Sequence, residues 1–214
     1  MDSPSGPSEL RDIQARSRRP LIFSAGIVFL LGLVIVFVSY SSYRQSISEK
    51  KEAIGRELMS VARTAAATID ADRFARLFTP PADIGTDPDR YTAWLQSRVS
   101  QPDYNRLKTF LDGVTAANTH LELSEEKLYV FVPDPIQPDQ QVRWALMTHE
   151  RPFAGEIYQL REEMRPVLEG GSPGAYTKVY LSTASNKQWM SAYAPVRSSD
   201  GRIVGLMEVS QDVE

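Results

Sequence analysis

The chain has 214 residues, of which 42% are hydrophobic and 24% are charged, with a formal net charge of −3 and no cysteine. This length and composition fit one domain of ordinary size and exclude collagen-like and disordered chains. A mildly acidic chain lacks the concentrated basic face that DNA or RNA requires, so we expect no nucleic-acid partner. Without cysteine there is no disulfide, no thiolate metal site and no thiol nucleophile.

An uncharged apolar segment lies near the amino terminus. Residues 21–43 contain no charged side chain, and they follow Arg18 and Arg19. At 1.5 Å per residue a helix of this length crosses a hydrocarbon core of roughly 30 Å. The segment therefore predicts a transmembrane signal anchor at 21–43. The alternative is a signal peptide cleaved near Ser39-Tyr40-Ser41, but the apolar run is longer than such peptides usually have.

The orientation of this segment is not decided by flanking charge, because four basic residues lie on each side of it. A short tail with most of the chain downstream is typical of a protein anchored from inside the cell. We expect residues 1–20 to be cytoplasmic and residues 44–214 to be extracytoplasmic, in a single-pass protein of the inner membrane.

Apolar spacing predicts mainly helices after the anchor. One amphipathic helix is expected over 47–78, because its apolar residues recur at helical spacing on one face. Packing of this face against its own domain is favoured over a coiled coil, since heptad positions place Lys50, Glu57 and Thr64 in the seam. A loop at 79–89 and two shorter helices follow, the second opened by Pro102.

The pattern then changes to strands. Residues 128–132 and 142–148 are β-rich, a helix is expected from Ile157 to Leu168, and three strands follow at 175–181, 188–197 and 203–210. Asp200-Gly201 between the last two strands is typical of a tight hairpin. The expected fold class is α+β, with an antiparallel sheet of about five strands and helices on one face.

Four segments of the chain resemble a known family. They read ARTAAATIDADRFARLF, YVFVPDP, VRWALMTHE and WMSAYAPVRSSDGRIVGLMEVSQDVE. The last segment, with small-x-Tyr-x-Pro-Val before Asp-Gly and a Gly-x-x-x-Val strand, is the most specific. Together they resemble the Cache domain, a PAS-like extracytoplasmic sensor of bacterial chemoreceptors, sensor histidine kinases and cyclases. The resemblance covers most of residues 44–214 and implies a single Cache module.

The resemblance implies a small-molecule ligand and an output module that this chain does not contain. It also implies signalling through a homodimer along the membrane-proximal helix. Many amino-acid-sensing members have an aspartate on the last strand, where this chain has Ser210. A serine cannot hold an ammonium ion as a carboxylate does, and this difference is an argument against an amino-acid ligand. By analogy with the family, a single small module implies a small organic acid.

Enzymatic signatures are missing from the sequence. The two histidines do not form the His-Glu-x-x-His spacing of a zinc site, and no Gly-x-Ser-x-Gly elbow occurs. The glycine-rich run at 170–174 lacks the Lys-Ser/Thr of a phosphate-binding loop, so we interpret it as a turn. We expect no catalytic residue, no metal and no cofactor in this chain.

Alternation along the strands indicates a ligand pocket on one sheet face. On strand 188–197 one face carries Trp189, Ser191 and Tyr193, and the other carries small apolar residues. Aromatic rings with a few polar groups suit a small-molecule site, and a cation such as Arg143 or Lys178 could hold a carboxylate. The candidate ligand-binding residues are Tyr129, Arg143, Trp144, His149, Tyr176, Lys178, Trp189, Ser191 and Tyr193.

Two functions are favoured by the sequence, ahead of an enzyme, for which no motif names a nucleophile, a base or a metal. The first is the ligand-sensing domain of a membrane-anchored signal-transduction receptor. The second is a membrane-anchored envelope protein that binds another protein through a sheet edge or helix and has no small-molecule ligand.

Overall fold

A computed structural model describes residues 7–84, 87–121, 128–182 and 186–213, with side chains described from Ile27 onwards. Contacts within the chain divide it into two units, Met1–Lys50 and Lys51–Glu214. The helices are α1 (Pro7–Thr68), α2 (Ala71–Phe78), α3 (Pro88–Arg98), α4 (Pro102–Ala117) and α5 (Arg165–Leu168). The strands are β1 (Leu128–Pro133), β2 (Gln141–Met147), β3 (Ile157–Gln159), β4 (Ala175–Tyr176), β5 (Tyr180–Leu181), β6 (Gln188–Arg197) and β7 (Ile203–Asp212).

The first unit contains the apolar part of α1. From Ile27 to Val38 its large apolar side chains are between 49% and 72% exposed. Within the described residues, this is the one helix long and apolar enough to cross a membrane. Side chains exposed on all sides of an apolar helix suit lipid rather than a protein core.

The second unit begins with the remainder of α1. Leu58, Ala62 and Ala65 are buried and pack into the main core of this unit. The amphipathic stripe predicted for this stretch is confirmed, but the prediction of a single helix to Phe78 is wrong. The helix ends at Thr68, and the Asp70 side chain accepts a hydrogen bond from the Arg73 amide at 2.9 Å. Asp70 therefore caps a separate helix, α2.

All strand pairs of the sheet are antiparallel, in the order β3-β2-β1-β7-β6-β4, with β5 also paired to β6. This confirms the α+β class. Among the described residues the sheet has seven strands rather than about five. One reason is that the predicted strand at 175–181 is divided, because it pairs with β6 only at its two ends.

The other additional strand, β3, replaces the first part of a predicted helix. Its residues pair with β2, and the Trp144 amide donates to the Glu156 carbonyl at 3.1 Å. A helix running from Ile157 to Leu168 would place Pro166 in its interior, where proline removes a hydrogen bond and clashes with the preceding turn. The chain instead forms an edge strand and then the short helix α5, in which Pro166 lies in the first turn.

The two faces of the sheet have different coverings. One face, with residues such as Val130, Ala192 and Val209, forms the main core with α1, α2, α3 and α4. The opposite face carries Phe131 and Tyr193, which form a smaller core with residues of α5 and its preceding segment. The helices α1–α4 thus leave the second face to β3, α5 and the connecting loops, which is where a polar cluster lies.

Helix α1 approaches β4 closely at Gly55. A Cβ atom added to Gly55 would lie 2.3 Å from Cδ2 of the Tyr176 ring. We expect Gly55→Ala to lower the free energy of unfolding by about 1 to 3 kcal/mol, because this overlap outweighs the better helix propensity of alanine. Urea unfolding of the full chain in detergent measures the change. Gly113→Ala on α4, where nothing lies within 4 Å, is the control and should not be destabilised.

Candidate functional site

A buried carboxylate lies on the second face of the sheet, near the middle of β7. Glu208 is 3% exposed and pairs with Tyr129 of β1 on one side and Tyr193 of β6 on the other. It shares its face with Ser210, because side chains two residues apart on a strand point the same way. An acidic side chain is almost never this buried unless it is paired, so its surroundings indicate a site.

A chain of hydroxyl groups leads to this carboxylate. Ser210 donates to Oε1 of Glu208 at 3.0 Å, and Ser191 lies 2.9 Å from Ser210. The Tyr180 hydroxyl lies 2.8 Å from the Ser191 hydroxyl. Since Ser210 uses its only proton toward Glu208, Ser191 must donate to Ser210, and Tyr180 must donate to Ser191. All three hydroxyls are thereby polarised toward the carboxylate.

Aromatic residues and one cation complete the cluster. The Arg161 guanidinium donates from Nε to the Tyr158 hydroxyl at 2.6 Å and lies 3.8 Å from the centre of the Tyr180 ring. Such stacking is a favourable cation–π contact. Arg161 is only partly buried, whereas Glu208 is buried. The cluster therefore has an anion in its interior and a cation toward its exposed side.

The protonation of the cluster follows from its burial. Burial raises the pKa of Glu208, and the Ser191 and Ser210 hydroxyls and Arg161 oppose this effect only in part. Burial, followed by the charge of Glu208, also raises the pKa of Tyr158, Tyr180 and Tyr193. The three phenols remain protonated hydrogen-bond donors at neutral pH.

Two polar groups of the cluster have unused hydrogen-bonding capacity. Within the described part of the chain, Oε2 of Glu208 and the Tyr193 hydroxyl are buried without a hydrogen-bond partner. The Tyr193 phenol is near enough to lower the pKa of Glu208, but not in hydrogen-bond geometry. No ion pair joins Glu208 to Arg161 among these residues either. Buried polar atoms are normally satisfied, so this arrangement suits a polar ligand between the two charges.

Part of the predicted site is brought together here. Ser191 and Tyr193 belong to the cluster, and Trp189 lies on the same face of β6, half-buried. Tyr129 and Trp144 lie beside it, with ring centres 4.5 Å apart. His149 stacks edge-on against Phe153 at the far end of the same aromatic group. Ligand binding by these residues stays a prediction.

Other predicted residues lie elsewhere. Arg143 is buried in an ion pair with Asp134, Nε to Oδ2 at 2.5 Å, and its Nη1 donates to Thr92 and to the Gly155 carbonyl. Its hydrogen-bonding capacity is used by the fold itself. Tyr176 faces α1 on the opposite side of the sheet, and Lys178 is exposed between β4 and β5. The structure therefore does not place these three residues in the cluster.

Several cluster residues were not among the predicted site residues, namely Tyr158, Arg161, Tyr180, Glu208 and Ser210. For Glu208 and Ser210 a signal was present. They alternate with Met207 and Val209, and the Asp200-Gly201 turn places them opposite Tyr193 and Ser191. Tyr158 and Arg161 were missed because their segment was expected to be helical. No group of three potential metal-ligating side chains occurs among the described residues.

No protein-family model matches this chain, and no curated protein matches it. The chain is similar to solved sensory domains. One is the periplasmic sensory domain of the Campylobacter jejuni chemoreceptor Tlp1, with 9% identity, a TM-score of 0.33, and coverage of 78% of this chain and 57% of that chain. Another is the sensor domain of the V. cholerae histidine kinase DctB, with 17% identity, a TM-score of 0.37, and coverage of 76% and 57%.

A third similar structure is the ligand-binding domain of the Pseudomonas aeruginosa amino acid chemoreceptor PctC in complex with GABA. It shows 11% identity, a TM-score of 0.30, and coverage of 79% of this chain and 61% of that chain. The chain thus spans about three fifths of the length of these solved domains.

Proposed function

We propose that the chain is a membrane-anchored, extracytoplasmic ligand-sensing domain of a bacterial signal-transduction receptor, with its ligand bound at the Glu208 cluster. The observation that carries this proposal is a buried carboxylate with an unpartnered oxygen, surrounded by three tyrosines and separated from Arg161. A buried charge that only stabilised the fold would normally be paired directly. The site has the few convergent polar groups and aromatic walls of a small-molecule pocket.

The charges of the cluster suggest the chemistry of the ligand. The carboxylate of Glu208 can accept a hydrogen bond from a hydroxyl or ammonium group of the ligand. Arg161 can hold an acidic group, a role that the sequence suggested for Arg143 or Lys178. We therefore propose a small organic acid that also carries a hydrogen-bond donor. An amino acid has both groups and is included in this class.

A short set of contacts connects the cluster to α1. The Ser191 amide donates to the Thr177 hydroxyl at 3.0 Å, and the Thr177 amide donates to the Ser191 carbonyl at 2.8 Å. The neighbouring Tyr176 packs on Gly55 of α1. A ligand that reorients Ser191 would thus act on the contact between β4 and α1. It can shift α1 only by the difference between its affinities for the two states.

Signalling by this route would require a homodimer along α1 and an output module beyond residues 1–214. Ile54 and Val61 of α1 are partly buried and pack against the core of their own domain. A second copy would therefore contact another side of α1. Sedimentation of the full chain in detergent tests this, with a mass of two chains expected.

The sensing function is tested by thermal unfolding of the full chain in nanodiscs with a panel of carboxylates, amino acids, amines and purines. A ligand at one hundred times its dissociation constant should add about 2.7 kcal/mol of stability and raise the unfolding midpoint by several degrees. Members of the panel with both an acidic group and a donor should give the largest shift. A folded protein that responds to no member would favour the envelope interaction module instead.

A further inference from the structure

A second binding region lies between α1 and the glycine-rich run at 170–174. It is an open groove of about 1070 Å³. Arg56 and Arg63 of α1 line one wall, and Arg197 of β6 lines the other. No acidic side chain is among its described lining residues. The groove therefore has a local positive charge in a protein that is acidic overall.

The arginines of the groove have few competing partners. Arg63 makes no ion pair or hydrogen bond with any described residue. Arg56 has a single contact, to Glu52 at 3.5 Å, in which both side chains are about 60% exposed. An exposed ion pair of this kind contributes little stability, so Arg56 remains available to bind another anion. Arg197 donates from Nη1 to the Gly201 carbonyl and keeps its Nη2 near Gly170.

The glycine-rich loop lies directly against two of these arginines. A Cβ atom at Gly174 would be 3.3 Å from Cγ of Arg63, and one at Gly170 would be 3.6 Å from Nη2 of Arg197. Gly170 also has a φ of +79°, which favours glycine. Residues 170–173 of the loop thus line the groove together with both arginine side chains. The sequence had indicated only a turn at this position.

The spacing of the arginines selects an elongated ligand. Arg56 and Arg63 are seven residues apart, so they lie on one side of α1 and about 10.5 Å apart along it. A single small anion bound at one of them leaves the other without a partner. An extended peptide in the polyproline II conformation places side chains three residues apart on one side, at about 9.3 Å. Acidic residues at such spacing can meet both arginines.

We propose that this groove binds an extended acidic segment of a partner protein, with acidic residues three apart. Hydroxyl groups of Ser60 and Thr64, which also line the groove, can bond to the backbone of the segment. The proposal is independent of the Glu208 cluster, because no residue of that cluster lines the groove. It adds a protein partner to the domain without replacing its ligand.

The test is fluorescence anisotropy of the full chain in nanodiscs with a labelled peptide, Glu-Pro-Pro-Glu-Pro-Pro-Glu, and its glutamine analogue. The acidic peptide should bind and the analogue should not. Arg63→Gln and Arg197→Gln should each weaken binding by about threefold to fivefold, as expected for exposed ion pairs. Arg106→Gln on α4 makes the same change of charge outside the groove, and we expect it to leave binding unchanged.

Four results would overturn the proposal. If Arg106→Gln weakened peptide binding as much as Arg63→Gln does, the peptide would be attracted only by the overall charge of the protein. Full competition by phosphate or citrate at similar concentration would show a small-anion site. A change of oligomeric mass in Arg63→Gln without any peptide binding would show that a second copy covers the groove. Absence of peptide binding in a protein that still responds to a small ligand would reject this proposal alone and leave the sensing function intact.

Discussion

Replacing Arg143 with alanine is expected to lower the free energy of unfolding by about 3 to 5 kcal/mol, because the change leaves Asp134 buried without its cation. Asp134 is 1% exposed and accepts hydrogen bonds from Arg143 and from the amides of Ile136 and Gln137. Arg143 also contacts Thr92 at the start of α3 and the Gly155 carbonyl. One side chain thus joins the β1–β2 connection, α3 and the segment before β3.

A double variant separates the cost of an unpaired charge from the value of the pair. Arg143→Met combined with Asp134→Leu should regain most of the stability, since neither charge then remains buried alone. Chemical unfolding of the wild type, both single variants and the double variant completes the cycle. If Arg143→Ala lost less than about 1 kcal/mol, the ion pair would not hold these elements together. An equal loss in the exposed variant Arg106→Ala would lead to the same conclusion.

The Arg143–Asp134 pair should also be visible in the pH dependence of stability. Burial alone would raise the pKa of Asp134, but hydrogen bonds from Gln137, Arg143 and Ile136 outweigh it, so the pKa is lowered. A carboxyl with a lowered folded-state pKa contributes stability above its unfolded pKa of about 3.9. That contribution is lost as the pH falls toward the folded value. In Asp134→Asn the free energy of unfolding should therefore depend less on pH below the unfolded pKa of an aspartate.

Glu208→Gln is expected to abolish most of the stabilisation by the ligand while leaving the fold intact. Glutamine keeps an oxygen that can accept from Ser210, but it removes the charge that faces the ligand. Loss of a buried charged hydrogen bond should weaken binding by about two orders of magnitude. At a ligand concentration that adds about 2.7 kcal/mol to the wild type, the variant should gain only a few tenths. Thermal unfolding with the best ligand of the panel measures both values.

The unliganded Glu208→Gln variant should become more stable than the wild type as the pH rises. Because burial raises the pKa of Glu208, its stabilising effect is full below its unfolded pKa of about 4.3 and declines above that value. The glutamine variant has no such decline. The exposed variant Glu162→Gln, next to Arg161, serves as the control for both measurements. If Glu208→Gln retained the full ligand shift, the ligand site would lie elsewhere.

Much of the candidate site could be predicted from strand alternation and the turn. A two-residue turn at Asp200-Gly201 would pair residues whose numbers add to 401. β6 and β7 are paired in this way from Trp189–Asp212 to Val196–Gly205, and the register shifts only next to the turn, where Arg197 pairs with Ile203. The alternation along β6 then places Ser191 and Tyr193 on the face opposite the small apolar residues. Extending the same reasoning to β7 would have identified Glu208 and Ser210.

The remainder of the site depends on contacts between distant parts of the chain. Residues 157–161 have helical apolar spacing, but pairing with β2 makes the first three of them an edge strand. Only this pairing brings Tyr158 and Arg161 to the cluster. The role of Arg143 likewise depends on its contacts with Asp134 and Thr92. The pattern of residues along β2 does not predict these contacts. The sequence around an arginine does not show whether its side chain binds a ligand or pairs with a carboxylate of the same domain.

The sequence by itself determined the apolar span, the α+β class, the strands of the terminal hairpin and their two faces. These features follow from composition, periodicity and turn chemistry, which act over a few residues at a time. Only the tertiary structure decided which polar side chains share a buried space. Tyr176 packs on α1, Arg143 pairs with Asp134, and Glu208 lies among tyrosines from three strands. Each outcome depends on packing between segments far apart in the chain, where local preference is overridden by burial and pairing.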